Sequence, residues 1–174
     1  MKTLLLIFLF SSFSQATVLL SINEAMYAQF SSKITIDKKT LLLKKDEAKI
    51  LQKNAKTKIK SKLFKVYLAK KDSKIVGFGV LINKKIRSKN GVILYMLDLK
   101  GAIKTIDVIA FNEPLDYLPS KQWKNQFNNI QINQSLQVGK NIPTITGATL
   151  SAKSITKASR VVQALYNLRL KDLL

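Results

Sequence analysis

Between residues 63 and 111 the chain leaves the three-to-four-residue apolar period of its flanks for runs of β-branched and aromatic residues, and the breaks between those runs are short. The runs are 63–69, 74–82, 92–98 and 103–111. Each ends on turn chemistry: Lys71-Asp72-Ser73, the stretch 83–91 with its Asn90-Gly91, and Lys100-Gly101. A parallel crossover needs about a dozen residues or more, so connections this short join neighbouring strands as hairpins. An antiparallel four-stranded meander follows.

Helical signals lie on both sides of it. Ser21-Ile22-Asn23-Glu24 has capping-box spacing and opens a short helix to Phe30. Ile34-Thr35-Ile36 reads as a short strand, and Asp46-Glu47 fronts a second helix closed by the lysine-rich turn 54–60. Downstream, Ser120 caps a short helix through Trp123 and Phe127, and then Leu150, Ile155, Ala158, Val162, Leu165 and Leu168 recur at helical steps. The expected fold is α+β: an antiparallel four-stranded meander covered on one face by N- and C-terminal helices.

Met1-Lys2, the apolar run 3–10 and the small-x-small ending Ser14-Gln15-Ala16 have the shape of a cleavable secretory signal, residues 1–16, with the mature chain from Thr17. The apolar run is well short of the roughly 20 residues that span a bilayer. Residues 17–174 then form one domain exported to the periplasm. Cys and His are both absent, which excludes disulfides, thiolate nucleophiles, Ser–His and Cys–His pairs, and His-ligated zinc or haem. Most hydrolase chemistries go with them, and no metal site is expected.

Thirty Lys and Arg against ten Asp and Glu give a net charge of +20. Such a field draws anionic membrane surfaces, acidic proteins or phosphorylated ligands. Nucleic acid fits poorly, because export removes it from reach and no aromatic residues interleave with the basic ones as a stacking platform. Most of the lysines are spread along the chain as solvated surface.

The last helical run emerges from Thr146-Gly147-Ala148-Thr149-Leu150-Ser151. Two readings stand side by side. Thr and Ser are ordinary N-cap residues and Gly an ordinary turn residue, so a capped helix without a ligand accounts for the pattern. The same junction is a seat for phosphate, since the first N–H groups of a helix lack intrahelical acceptors and the positive end of its dipole stands behind them. Two loops add candidates. Residues 83–91 gather Lys84, Lys85, Arg87 and Lys89, either a solvated hairpin tip or an anion clamp in which Arg87 has the fork geometry for phosphate or a heteroaromatic edge. Residues 112–119 hold Glu113 and Asp116 around Pro114 and Pro119, ahead of and beside Tyr117, a rigid turn or a carboxylate site.

In the same order along the chain, residues 67–79, Ile86-Arg87-Ser88, residues 108–119 and residues 146–151 resemble the small FMN-binding domain family, related to the periplasmic covalent-FMN subunits of Na+-translocating NADH:quinone reductase and Rnf complexes. The resemblance implies FMN as cofactor, joined by a phosphoester to Thr149 by a separate flavin transferase that uses FAD. It also implies Thr146, Gly147, Ala148, Leu150 and Ser151 along the phosphate and ribityl chain, and Arg87, Glu113 and Tyr117 near the flavin. The chain departs from the family pattern at Pro143, where an aspartate is usual, and at Lys84 and Asn112, where histidines are common. The implied role is an electron carrier between envelope redox partners rather than a stand-alone enzyme. Beside it stands a flavin-free exported module whose basic surface engages anionic lipid or an acidic protein.

Overall fold

The computed structural model of the protein describes residues 17–132 and 134–174; the expected signal segment, residues 1–16, lies outside them. Six strands form one antiparallel sheet in the order β1-β6-β5-β4-β3-β2. They are the two-residue β1 (Thr17–Val18), β2 (Thr35–Leu42), β3 (Leu63–Lys71), β4 (Lys74–Lys85), β5 (Asn90–Leu97) and β6 (Ile103–Phe111). The meander expected from sequence is β3 to β6, and its β3–β4 turn is made by Asp72 and Ser73 at φ +48° and +65°, the paired positive φ that tight hairpins prefer. The sheet is wider than the expected four strands. β1 adds a short rung on β6, and β2 pairs with β3 along its whole length from Thr35↔Lys70 to Leu42↔Leu63. β2 extends well past Ile36 because its exposed Asp37, Lys38, Lys39 and Thr40 are edge residues with no apolar alternation to betray them.

Helices cover both faces, which corrects the one-sided expectation. β5 explains why: Val92-Ile93-Leu94-Tyr95-Met96-Leu97 is apolar without a break, the pattern of a strand buried on both sides. Ile93, Tyr95 and Leu97 join the larger cluster, with Phe78, Val80, Ile155, Val162 and Leu165. Leu94 and Met96 join Ala25, Met26, Tyr67 and Ile109 on the opposite face. The helix on that second face is α1 (Ile22–Phe30), with the Ser21/Glu24 capping box in place. It lies close because β4 presents Gly77 beneath it: a Cβ there would sit 2.1 Å from Phe30 Cε1 and 2.8 Å from the Leu97 carbonyl oxygen.

The first face carries α2 (Lys45–Ala55) and α4 (Thr149–Leu165), with the short α3 (Lys121–Asn125) between β6 and α4. Phe127 lies just past the end of α3, fully buried. α4 is embedded almost all round, and beyond Leu165 its last turns widen through Tyr166–Leu170 before ending at Leu173. Tyr95 Oη donates to the Ile155 carbonyl at 3.0 Å, pinning the middle of α4 to the centre of the sheet; burial pushes that phenol well above its ordinary range. Arg160 fixes the other side, donating from Nε to Ala55 O and from Nη1 to Leu136 O, each at 2.8 Å. The register of α4, and with it the direction its first turn faces, is set by these contacts.

Candidate functional site

The start of α4 lacks the serine cap of α1 and α3 and the acidic side chain that reaches back at the start of α2. Ser21 caps α1 by accepting from Glu24 N, Ser120 caps α3 by accepting from Trp123 N, and Glu47 accepts from Lys44 N ahead of α2. α4 begins at Ala148 with no side-chain cap. Thr149 is the first helical residue rather than the cap, and its Oγ1 donates backward to the Ile145 carbonyl at 3.2 Å. That direction leaves the hydroxyl oxygen's lone pairs turned away from the chain's own acceptor. The first-turn N–H groups therefore have neither an intrahelical partner nor a capping side chain.

Immediately behind them Ser151 is completely buried, and its Oγ has no hydrogen-bond partner among the described residues. A buried hydroxyl without a partner costs about 1–3 kcal/mol, so its place beside uncapped amides points to an oxygen-rich group arriving from outside. Gly147 sits at φ +78° with open space where a Cβ would be. The turn needs the left-handed conformation there, and the opening in front of it is unobstructed. Thr146 and Gly147 are exposed, Ala148 buried, and Leu150 half exposed on the flank. Neither Thr146 nor Thr149 caps α4 with its side chain, so the expected side-chain cap is not formed.

The loop joining β4 to β5 is narrower than the sequence suggested, comprising 86–89 between Lys85 and Asn90. It does clamp an anion, but the anion is the chain's own. Glu113 accepts from the backbone N–H of Arg87 at 3.2 Å, Ser88 at 2.5 Å and Lys89 at 2.7 Å, and the Ser88 hydroxyl approaches both its carboxylate oxygens. The bond from Lys89 N, helped by those from Ser88 and Arg87, holds the Glu113 carboxyl below its usual range despite burial. Arg87, with its backbone so held, lays its guanidinium 3.6 Å over the Tyr117 ring, a cation–π pair. The structure thus brings Arg87, Glu113 and Tyr117 together, with Glu113 placing the loop and Arg87 and Tyr117 presenting a planar surface. Next to Glu113, Asn112 has a buried Oδ1 with no hydrogen-bond partner among the described residues.

Two residues that the sequence did not single out join these pieces to α4. Ser154, one turn beyond Ser151, approaches the carbonyls of Lys85 and Ile86 at 3.2 and 3.1 Å and so fixes the 86–89 loop to the helix. Trp123 donates from Nε1 to the Pro143 carbonyl at 3.0 Å, holding the segment that leads into Gly147. The Ser151-x-x-Ser154 spacing marks one helix face and was a usable signal for the first. Nothing local marks the second, whose partner is twenty residues away.

Uncapped N–H groups, a buried unpartnered hydroxyl, a second hydroxyl on the first helical residue and an open glycine turn suit a phosphate ester, which needs donors and no side-chain cation at this point. The planar Arg87–Tyr117 surface suits the ring that such an ester would carry. The family model described as FMN-binding domain matches residues 26–163, which takes in every element of this site. No curated protein and no solved structure matches the chain.

Proposed function

Because the chain belongs to the FMN-binding domain family and its cofactor is FMN, we propose that it is an exported electron-transfer flavoprotein holding the flavin phosphate at the start of α4, esterified to Thr149. The observation that carries this reading is the uncapped start of α4 with the partnerless Ser151 hydroxyl behind it. The backbone N–H groups of the first turn and the Ser151 hydroxyl would bind the phosphate oxygens. Gly147 allows close approach, and Thr146 and Leu150 flank the opening. Arg87 and Tyr117 would line the ring, their loop oriented by Glu113 and Ser154.

Thr149 Oγ1 is the nucleophile for attachment. One Oγ1–P bond forms as the phosphoanhydride bond of FAD breaks, AMP leaves with the bonding pair, and the hydroxyl proton passes to base, the reaction being that of a separate flavin transferase. Bound FMN supplies reversible one- and two-electron chemistry; the protein supplies position, solvent exclusion and a basic exterior to which an acidic redox partner at the envelope is drawn.

Intact mass of the chain purified from its own cell envelope, or coproduced with a flavin transferase, is expected to carry the FMN increment. Thr149→Val removes the increment and leaves the far-UV circular dichroism unchanged. An unmodified mass, together with no binding of added FMN, overturns the reading.

A further inference from the structure

One strip of α4 carries Lys153, Lys157 and Arg160 at i, i+4 and i+7. With Lys56, Ser135 and Gln137 they line a cavity of about 490 Å³ between α4, the end of α2 and the segment 135–138. Lys84, half-buried at the end of β4, has Lys157, Arg160 and Lys60 for its charged neighbours; burial first, and then those cations, push its ammonium below the usual range. None of these six cations pairs with a carboxylate among the described residues. Lys153 and Lys157 are like charges at i,i+4, which work against a helix; Lys56, Lys60, Lys153 and Lys157 are exposed, and Lys84 alone is half withdrawn from water among other cations.

A lysine cluster on a convex surface is ordinary solvated surface. This one is concave, and one of its members is immobilised: Arg160 is held by the carbonyls of Ala55, Leu136 and Lys56, so its guanidinium stands at the wall without further loss of freedom. The cations lie on two sides of the space, which is several times the volume of one phosphate. We propose that the cavity is a second anion site, taking a small polyanion with two adjacent phosphate-type groups, of which a diphosphate is the smallest. Both sites use α4, but this one is completed by the end of α2 and residues 135–138, whereas the flavin seat is completed by Gly147 and the 86–89 loop, so the two are separate.

The test is calorimetric titration of sodium pyrophosphate into the full chain, with flavin content recorded by absorbance. Saturable binding is expected, weakening steeply with salt. K153Q/K157Q is expected to bind about a hundredfold more weakly, about tenfold for each charge-assisted hydrogen bond removed, with flavin content as in wild type. A parallel arm uses phosphatidylcholine vesicles with and without phosphatidic acid. Vesicle binding that K153Q/K157Q abolishes, without pyrophosphate binding, assigns the phosphate groups to lipid headgroups rather than to a soluble ligand. Competition between pyrophosphate and free FMN in the Thr149→Val chain would mean a single shared site and overturn the proposal. So would equal affinity of wild type and K153Q/K157Q, or no saturable binding in either arm.

Discussion

Glu113→Gln tests how the site loop is held. The Glu113 carboxylate accepts three backbone N–H groups and faces the Ser88 hydroxyl. Hydrogen bonds to a charged acceptor contribute about 1.5–3 kcal/mol each against about 0.5–1.5 for neutral ones. Glutamine can keep its oxygen on the three N–H groups, which all reach Oε1, and turn its NH2 toward the Ser88 hydroxyl, so what it loses is the charge that strengthens those bonds. The expected loss is about 2 kcal/mol, and about 3 kcal/mol for Glu113→Ala, where every amide is orphaned. In a chain of this size 2 kcal/mol is about 4–8 °C in Tm. Urea unfolding followed by the fluorescence of Trp123, the one tryptophan of the sequence, measures it directly. The pH dependence gives a second reading. The folded carboxyl lies below its ordinary value of 4.5, so its contribution is fully present above that value and is lost as pH falls through the lower folded value. Wild type and Glu113→Gln therefore differ at neutral pH and converge in acid. Equal urea midpoints at pH 7, or a gap that survives undiminished at low pH, would refute the assignment of Glu113 as the charged holder of the loop.

Gly147→Ala meets no atom within 4 Å but must keep φ +78°; the expected cost is about 1 kcal/mol, with reduced FMN occupancy by absorbance, and unchanged stability would contradict a left-handed turn. Gly77→Ala collides with Phe30 and the Leu97 carbonyl, for an expected loss of about 2–3 kcal/mol in thermal unfolding; a neutral outcome would mean that α1 does not pack there. Trp123→Phe removes the bond to Pro143 O, about 1 kcal/mol. Faster amide exchange across 142–148 should accompany it, and protection equal to wild type would show that Trp123 does not steady the approach to α4.

The strands of the meander were legible because each is a β-branched run closed by turn residues, and β6 ends where its run ends, at Phe111. β2 was legible only at its start, since an edge strand facing water has polar side chains on both sides of its pleat. The two-sided cover was written in the unbroken apolar β5, a signal that a hairpin count alone does not use. At the site, the hydroxyl-rich junction was visible while its missing cap was not: sequence places Thr149 at the helix start without distinguishing a capping residue from the first helical one. Glu113 read as part of a rigid proline turn or a carboxylate site because its partners lie 24 to 26 residues upstream, and no local pattern carries a contact of that separation.

Among the described residues β2 leaves one flank of the sheet with no further strand beside it, an invitation to a second molecule to continue the ladder. Lys38 and Lys39 line that flank beside Asp37, which Lys70 already holds, and a chain arriving in register would press like charges together. At the other flank β1 offers only two residues of template. Repulsion at the β2 edge works against strand-on-strand growth, a use for some of the lysine excess that involves no ligand.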